Sequence, residues 1–322
     1  MKHVSILIPD GHTSLVNIAG THQILNQMNG LAPMPVFDVQ LVGLSKEARQ
    51  DTGLFTVYPD CTIEDVKKTD LIIIPAIHNE QKEGIERNRR FIPWITDHYN
   101  NGAELASFCI GAYLLAATGL LKGKKCATHW AHANNFRQMY PDVDLVDDRI
   151  MTAEDGIYTS GGAYSYLNLL LYLIEKNAGR EAAIMASKMF MIDIDKESQS
   201  PFIIFEGQKD HGDKQVMEAQ KIIEGSYSDK MTVDDIADEV ALSRRSLERR
   251  FKKATTNTVV EYIQRVKVEA AKKQLESGQT SVSEVMYDVG YADAKAFRNV
   301  FRKMTGITPF EYRKKFNSTA LV

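Results

Sequence analysis

The feature that most constrains how this chain can fold is a repeat in its last eighty or so residues. A shift of fifty positions brings an apolar pair, two basic residues and a Glu-Tyr pair of one copy onto their counterparts in the other. The matched segments are Leu247-x-x-x-Phe251 with Phe297-x-x-x-Phe301, Lys252-Lys253 with Arg302-Lys303, and Glu261-Tyr262 with Glu311-Tyr312. A fixed-period repeat indicates one supersecondary unit used twice. In each copy the apolar pair at i and i+4 lies on one helical face, and basic residues lie opposite.

A short helix and a tight turn precede each of these basic helices. The sequence predicts the short helices at residues 233–240 and 283–289, and Thr232 and Ser281 fit capping boxes at their starts. This order of elements is a helix-turn-helix in duplicate, which is typical of proteins that read DNA. Residues 259–277 have the periodicity of one long helix of about 28 Å. That length approaches the ~34 Å between major-groove faces one turn apart, so one chain could set both recognition helices along one side of a duplex.

The uneven distribution of charge agrees with this interpretation. The net charge of −3 is unremarkable, but residues 241–322 hold 17 lysines and arginines against 8 acidic residues. Residues 1–210 hold 19 against 26. A basic block beside an acidic body suits a domain that contacts phosphates. A solvated lysine and arginine face is the alternative, and the duplicated helix-turn-helix favours DNA.

Helical projection selects the side chains that would face DNA. Early residues of a recognition helix reach base edges, and flanking basic residues contact phosphate. Arg245 and Arg249 suit guanine and Asn299 suits adenine, because their side chains form bidentate hydrogen bonds with those bases. For any single residue, a solvated surface role is the alternative. The predicted DNA-binding residues are Arg245, Ser246, Arg249, Lys252, Lys253, Lys295, Asn299, Arg302 and Lys303.

The first two hundred residues alternate between strand-like and helix-like segments. We predict strands at 4–8, 36–42, 71–74, 104–108 and 156–159, and helices at 15–28, 86–99, 110–118, 132–139, 166–177 and 182–192. Such alternation predicts an α/β domain with a parallel sheet covered by helices on both faces. A polar stretch at 193–213 resembles a tether. We therefore predict a first domain at 1–205, a linker at 206–213 and an all-α second domain at 214–322.

Composition excludes several classes of protein. Cys61, Cys109 and Cys126 are an odd number without a CxxC pair, so neither a disulfide framework nor a zinc site is predicted. No apolar run approaches the ~20 residues of a membrane span, and the N-terminal run is too short for a signal peptide. We expect a cytoplasmic protein with no metal and no cofactor.

Cys109 lies at a predicted strand-to-helix junction. Ser107 and Gly111, two residues before and after it, are small, as a sharp elbow requires. Such an elbow projects its central side chain at the carboxyl end of the sheet, where open α/β folds bind ligands. The N-terminus of the next helix would lower the pKa of the thiol. The alternative is a buried cysteine that acts as a small apolar residue.

These motifs together resemble a known family. Residues 107–123, Ala127-Thr128-His129-Trp130, Asn17-Ile18-Ala19-Gly20 and Thr159-Ser160-Gly161-Gly162 resemble the amidotransferase-like (PfpI-like) domain of GlxA-type regulators of the AraC family. Residues 290–303 and 305–313 match the AraC-type DNA-binding domain. The resemblance implies a flavodoxin-like, doubly wound sheet of the class I glutamine amidotransferase type, followed by the two helix-turn-helix motifs. Relatives of this type are thought to sense amino-acid-like or betaine-like compounds.

Two departures from the family bear on catalysis. Enzymes of this fold pair the elbow cysteine with a histidine at the next position and with a carboxylate on the first helix; here these positions hold Ile110 and Asn17. A nucleophilic thiolate needs such a partner, and His129 could supply one only through the fold.

The resemblance therefore favours a regulator with a sensing pocket. We predict double-stranded DNA, a small-molecule effector and a second copy joined through the N-terminal domain as its partners. The alternatives are a Cys109 hydrolase or amidase, and a constitutive DNA-binding protein whose N-terminal domain only dimerises. For His129 and Trp130 a core role is the alternative, and for His12 a surface-loop role. The predicted pocket residues are Cys109, Ile110, Asn17, His129, Trp130, Ser160, Gly161 and His12.

Overall fold

A computed structural model of the chain describes residues 1–31, 34–49, 55–194, 196–229 and 231–317. The chain divides into two compact units, Met1–Gln199 and Ser200–Val322. No helix within the described ranges is both long and apolar enough to cross a bilayer.

The first unit is built on a seven-stranded, mostly parallel sheet. The strands of the unit are β1 (Lys2–Ile8), β2 (Phe37–Gly43), β3 (Ala48–Arg49), β4 (Thr56–Val57), β5 (Cys61–Thr62), β6 (Leu71–Ile74), β7 (Glu104–Phe108), β8 (Lys125–Cys126), β9 (Asp144–Leu145), β10 (Met151–Glu154) and β11 (Ile157–Ser160). The sheet order is β10-β11-β7-β6-β1-β2-β5, and only the β10–β11 pair is antiparallel. β3 with β4 and β8 with β9 form separate pairs. Apart from the edge strands, this is the flavodoxin-like order, as expected.

Helices cover both faces of this sheet. They are α1 (Leu15–Leu31), α2 (Gln81–Arg87), α3 (Phe91–Asn100), α4 (Ala112–Ala117), α5 (Ala133–Met139), α6 (Tyr166–Ala178) and α7 (Arg180–Phe190). The prediction of one helix at 86–99 was wrong, because two helices meet at Asn88. The buried amide of Asn88 accepts from Asp10 N–H (2.8 Å) and donates to Asp10 O and Gly84 O (both 2.9 Å). These bonds tie the break to the loop after β1.

Alternate residues of the central strands enter two separate cores. Ile6 and Ile73 pack with the core that includes α1 and α6, whereas Leu7 and Ile72 pack with the core that includes α4. All four side chains are fully or almost fully buried. Near-continuous apolar strands are therefore explained by burial on both faces. The parallel arrangement also brings the carboxyl ends of β1, β6, β7 and β11 to one edge of the sheet.

The second unit is helical in its described part. Its helices are α8 (Lys214–Gly225), α9 (Val233–Glu239), α10 (Arg244–Thr255), α11 (Val259–Ser277), α12 (Val282–Asp288), α13 (Ala294–Thr305) and α14 (Pro309–Phe316). The capping boxes at Thr232 and Ser281 are both present, as predicted. The repeat also governs packing. The ring of Phe251 lies edge-on to Tyr262 with centroids 5.2 Å apart, and Phe301 lies edge-on to Tyr312 at 5.5 Å.

The two units divide between Gln199 and Ser200, before the predicted linker at 206–213. Apolar side chains explain the difference. The Phe202 ring lies 5.6 Å from that of Phe316, and the Phe205 ring lies 5.1 Å from that of Tyr262. Gln208 O accepts a hydrogen bond of 2.7 Å from the Gln220 amide. Residues 202–208, which we call the strap, therefore pack on the helices of the second unit.

The two copies of the repeat differ in the length of their turns. A shift of fifty positions aligns the bulky Tyr287 with the small, buried Ala237. The side chain of Tyr287 is 64% exposed, and Met286 takes the buried position instead. The first helices of the two motifs are related by 49 residues, because the second turn holds one more residue before its cap at Asp293.

The recognition helices end on left-handed caps of different chemistry. Thr256 caps α10 at φ 60°, whereas Gly306 caps α13 at φ 76°. A residue with a Cβ atom pays roughly 1–2 kcal/mol in this region, which glycine does not. The first motif therefore carries backbone strain that the second lacks.

Exchanging these caps should move stability in opposite directions. Thr256→Gly should stabilise the second unit by up to about 1 kcal/mol, since relief of strain exceeds the greater chain entropy of unfolded glycine. Gly306→Thr should destabilise it by about 1–2 kcal/mol. The measurement is the urea midpoint of that unit. Equal midpoints for the two variants would contradict this account.

Candidate functional site

The sheet reverses its strand order between β1 and β6, and the loops after these strands meet there. The loop after β1 is bridged to the loop after β6 by Thr13 and Ile77. The His78 N–H donates to His12 O across 2.6 Å. A crevice at such a switch point is where open α/β sheets bind ligands. The elbow after β7 borders the same edge of the sheet.

Cys109 occupies a strained elbow. Its φ is 55°, and its side chain is 3% exposed. A Cβ atom added at Gly111 would lie 2.6 Å from Pro75 O, so only glycine fits there. The short turn Cys109–Gly111 leads directly into α4. This geometry matches the elbow that the small flanking residues predicted.

The electrostatics of Cys109 differ from expectation. We expected the following helix to lower the pKa of the thiol. Burial instead raises the pKa of Cys109 to about 12, and the Ile110 N–H opposes only part of that effect. The reason is that desolvation penalises the thiolate more than one backbone donor favours it. The thiol is therefore protonated at neutral pH.

Asn17 and Ile110, which stand where the enzymes of this fold have a carboxylate and a histidine, are both buried and in contact with other parts of the first unit. Asn17 on α1 is 3% exposed, and its Oδ1 accepts from Ala76 N–H at 3.2 Å. Its amide therefore joins α1 to the loop after β6. Ile110 is also 3% exposed and packs in the core that contains α4. Neither side chain offers the thiol a base.

His129 and Trp130 lie in the turn after β8. The His129 Nδ1 accepts from Ala131 N–H at 3.2 Å, which favours the neutral ring with its proton on Nε2. The ring centroid of His129 lies 5.3 Å from that of Trp130 and 5.9 Å from that of His132. Burial and the neighbouring His132 and His78 lower the pKa of His129.

Two histidines that sequence reasoning missed join this group. His78 lies 5.2 Å from His12 between ring centroids, and burial, His12 and His132 lower its pKa. Burial also lowers the pKa of His132. The positions of these two histidines in the sequence could have revealed them. His78 follows β6 much as His12 follows β1, and His132 lies one turn beyond His129. In the part of the chain that the structure describes, no group of histidine, cysteine or acidic residues is arranged to hold a metal ion.

The turn after β11 is held by a residue that the sequence did not single out. The Gln199 Oε1 accepts from Gly162 N–H at 2.9 Å, and its Nε2 donates to Thr128 O at 3.1 Å. A Cβ atom at Gly161 would lie 2.5 Å from that amide nitrogen, which explains the glycine. The Ser160 hydroxyl is buried with no hydrogen-bond partner among the described residues.

Hydrogen bonds connect this turn to the elbow. The Thr128 hydroxyl donates to Cys109 O at 2.9 Å, and Gln199 joins Thr128 to the turn. The backbone positions of Cys109, Thr128 and Gly162 are thus linked in one network.

The predicted DNA-facing residues lie on α10 and α13. Arg245, Arg249 and Asn299 are exposed, and within the described ranges their side chains have no hydrogen-bond or ion-pair partner. Other members of the set are also exposed, except the half-buried Ser246: Lys252, Lys253, Lys295, Arg302 and Lys303.

Some basic residues of α10 are already occupied. The Lys252 Nζ donates to Thr256 O at 2.6 Å, so it caps its own helix. Arg244 pairs with Asp234 at 2.9 Å and with Glu248 at 3.2 Å. Arg250 forms a two-pronged pair with Asp213 at 2.6 and 2.9 Å. Arg245, Arg249 and Lys253 remain as the unpaired cations of this helix within the described residues.

Comparisons with known proteins agree with both halves of the chain. The sequence profile of the DJ-1/PfpI family matches residues 2–176, and that of a helix-turn-helix domain matches residues 236–315. The transcriptional regulator GbdR of Pseudomonas aeruginosa is 23% identical over 316 residues, which cover 97% of this chain and 84% of GbdR. The regulator GlxA of Rhizobium meliloti is 22% identical over 218 residues, 67% of each protein.

Solved structures support the fold of the first unit. An AraC family transcriptional regulator from Pseudomonas putida superposes with a TM-score of 0.51 at 15% identity, over 59% of this chain and all of that one. Drosophila melanogaster DJ-1beta superposes with a TM-score of 0.51 at 17% identity, over 60% of this chain and 98% of that one.

The state of the Cys109 thiol can be measured by alkylation. In the native chain at pH 7, iodoacetamide should label the half-exposed Cys61 and spare the buried Cys109 and Cys126. A rise in pKa from 9 to about 12 lowers the thiolate fraction roughly 1000-fold. The measurement is peptide mass spectrometry over time, and Cys109→Ser assigns the peptide. Labelling of Cys109 as fast as Cys61 would show an activated thiol.

Proposed function

Because the chain belongs to the DJ-1/PfpI family and joins that domain to an AraC-type helix-turn-helix domain, we propose that it is a DNA-binding transcriptional regulator of the GlxA type whose N-terminal domain binds a small polar metabolite. The proposed domain ranges are 1–205 and 214–322. The regulators GbdR and GlxA are similar to it over most or two thirds of its length. We further propose that two copies associate through the N-terminal domain.

One observation carries the proposal for DNA. The two helices that the repeat duplicates present Arg245, Arg249 and Asn299, which are exposed and have no side-chain partner among the described residues, while α11 joins their motifs as one helix of 19 residues. Unpaired guanidinium and amide groups on successive recognition helices are suited to bidentate contacts with guanine and adenine. Lys253, Lys295, Arg302 and Lys303 are suited to phosphate.

The chemistry of the switch-point crevice supports a binding role. The rim offers imidazole rings from four histidines and the Trp130 face. Neutral imidazoles can donate and accept hydrogen bonds, and an indole face attracts cationic groups. Such a rim suits a small polar metabolite, including a zwitterion. Cys109, Ile110, Asn17, Ser160 and Gly161 are proposed as its walls and floor.

Hydrolysis by Cys109 is the rival function, and the chemistry disfavours it. A nucleophilic cysteine requires a thiolate or an adjacent base. Burial raises the pKa of this thiol to about 12, and Ile110 stands where the enzymes of this fold have histidine. We therefore propose that the chain is not an enzyme. A dimerisation domain without a ligand is the third function, and the polar rim favours ligand binding.

Substitutions at the exposed residues should separate base readout from phosphate contact. Arg245→Ala and Asn299→Ala should each cost roughly 1–3 kcal/mol at the cognate promoter and relax preference at separate base pairs. Lys253→Ala should weaken cognate and random DNA about equally and reduce the salt dependence of binding. Fluorescence anisotropy against both DNAs at several salt concentrations measures this. Arg244→Ala, which removes a residue held in ion pairs, is the control. Equal losses on both DNAs for Arg245→Ala and Asn299→Ala would exclude base reading.

Cys109→Ser should separate sensing from catalysis. DNA binding should stay unchanged, because Cys109 lies in the first unit, whereas the response to added metabolites should change through the shape of the pocket. Neither protein should turn over amides, esters or glyoxals in a steady-state assay. His129→Ala serves as the second pocket variant. Wild-type turnover that disappears in both variants would replace the sensor with a hydrolase.

A further inference from the structure

α7 lies beyond the part of the chain that the DJ-1/PfpI profile matches, which ends at residue 176. One face of α7 holds the fully buried Ala183 and Ala186, which belong to the same core as α6. The opposite face is apolar and exposed, with Ile184 at 37% and Met185 at 50%. A helix that buries small residues and exposes large apolar ones lacks a cover on its outer side.

Charges flank this apolar centre symmetrically. Glu181, Ile184, Met185 and Lys188 stand at i, i+3, i+4 and i+7, so they form one stripe along the helix. All four are exposed. Within the described residues, neither Glu181 nor Lys188 has a hydrogen-bond or ion-pair partner. The acid and the base lie about 10 Å apart, with the apolar pair midway between them.

This order is self-complementary under a two-fold axis. If a second α7 runs antiparallel with the axis between positions 184 and 185, each Ile184 meets Met185 of the other copy. The same register sets each Glu181 opposite Lys188 of the other copy. An isologous interface requires this property, since residue i contacts j and j contacts i. A parallel pair would instead set like charges together.

We propose that α7 is the contact through which two copies of this chain pair, antiparallel across the Ile184–Met185 centre. The proposal rests on the proposed association through the N-terminal domain and names its surface. Charge complementarity selects a second copy as the occupant, because the pattern matches its own reverse. Burial of the two apolar centres supplies the affinity, and the paired charges fix the direction.

Charge exchange tests the pairing in the full-length chain by sedimentation velocity over a concentration series. Glu181→Lys or Lys188→Glu alone should raise the dimer dissociation constant at least about tenfold, since each sets two like-charge pairs across the axis. The double variant should restore it to within about threefold of the wild type. Met185→Asp, at the axis, should give monomers. Lys82→Glu on α2, which covers the other face of the sheet, is the matched control and should leave association unchanged.

Each outcome bears on a separate claim. A wild type that stays monomeric would overturn both the homodimer and this interface, while DNA binding by the monomer would leave the regulator proposal intact. A dimer that tolerates Met185→Asp and both single charge variants would overturn α7 as the surface. Single variants that weaken the dimer without rescue in the double variant would overturn the antiparallel register. Circular dichroism confirms that each variant is folded.

Discussion

The second unit depends on one helix that is shared between two cores. The first half of α11 supplies Val259 and Tyr262 to the core of the first motif, and its second half supplies Ala271 and Leu275 to the core of the second. Hydrogen bonds fix the equivalent tyrosines, from Tyr262 to Glu224 and from Tyr312 to Glu276, both at 2.6 Å. Because each recognition helix packs on a different part of α11, the backbone geometry of this one helix sets the spacing of the two motifs.

In the first unit the desolvation of ionisable side chains decides which of them carry charge at the site, and so decides its chemistry. The elbow sets Cys109 at the edge of the sheet where ligands bind, but the same close packing leaves its thiol almost without solvent. Desolvation then outweighs the backbone donor of Ile110. His78, His129 and His132 follow the same rule, since burial lowers the pKa of each of these three rings. Enzymes of this fold have a catalytic cysteine at the elbow, whereas here Cys109 and these three histidines present neutral hydrogen-bonding groups.

Periodic features could be predicted from the sequence, whereas contacts between distant residues could not. The apolar run at β6 and the long helix α11 were predicted at their observed bounds, because burial on one or both faces of an element requires a regular spacing of apolar residues in the sequence. The break at Asn88 was missed, since it depends on hydrogen bonds to Asp10, 78 positions away. Gln199 was missed for the same reason, because its partners Thr128 and Gly162 come from other segments. The polar appearance of residues 193–213 concealed Phe202 and Phe205, whose partners lie in α14 and α11.

The course of the strap has a practical consequence for dividing the protein. Phe202 contacts Phe316 beside the second motif, the Lys272 ammonium on α11 donates to Ile203 O, and Gln208 accepts from Asn257 at 3.1 Å beside the first motif. A fragment that began at residue 211 would lose all three contacts and expose the apolar surfaces beneath them. A fragment that began at Ser200 would keep them. The junction best suited to cutting therefore lies ahead of the strap, between Gln199 and Ser200, and not within the predicted linker at 206–213.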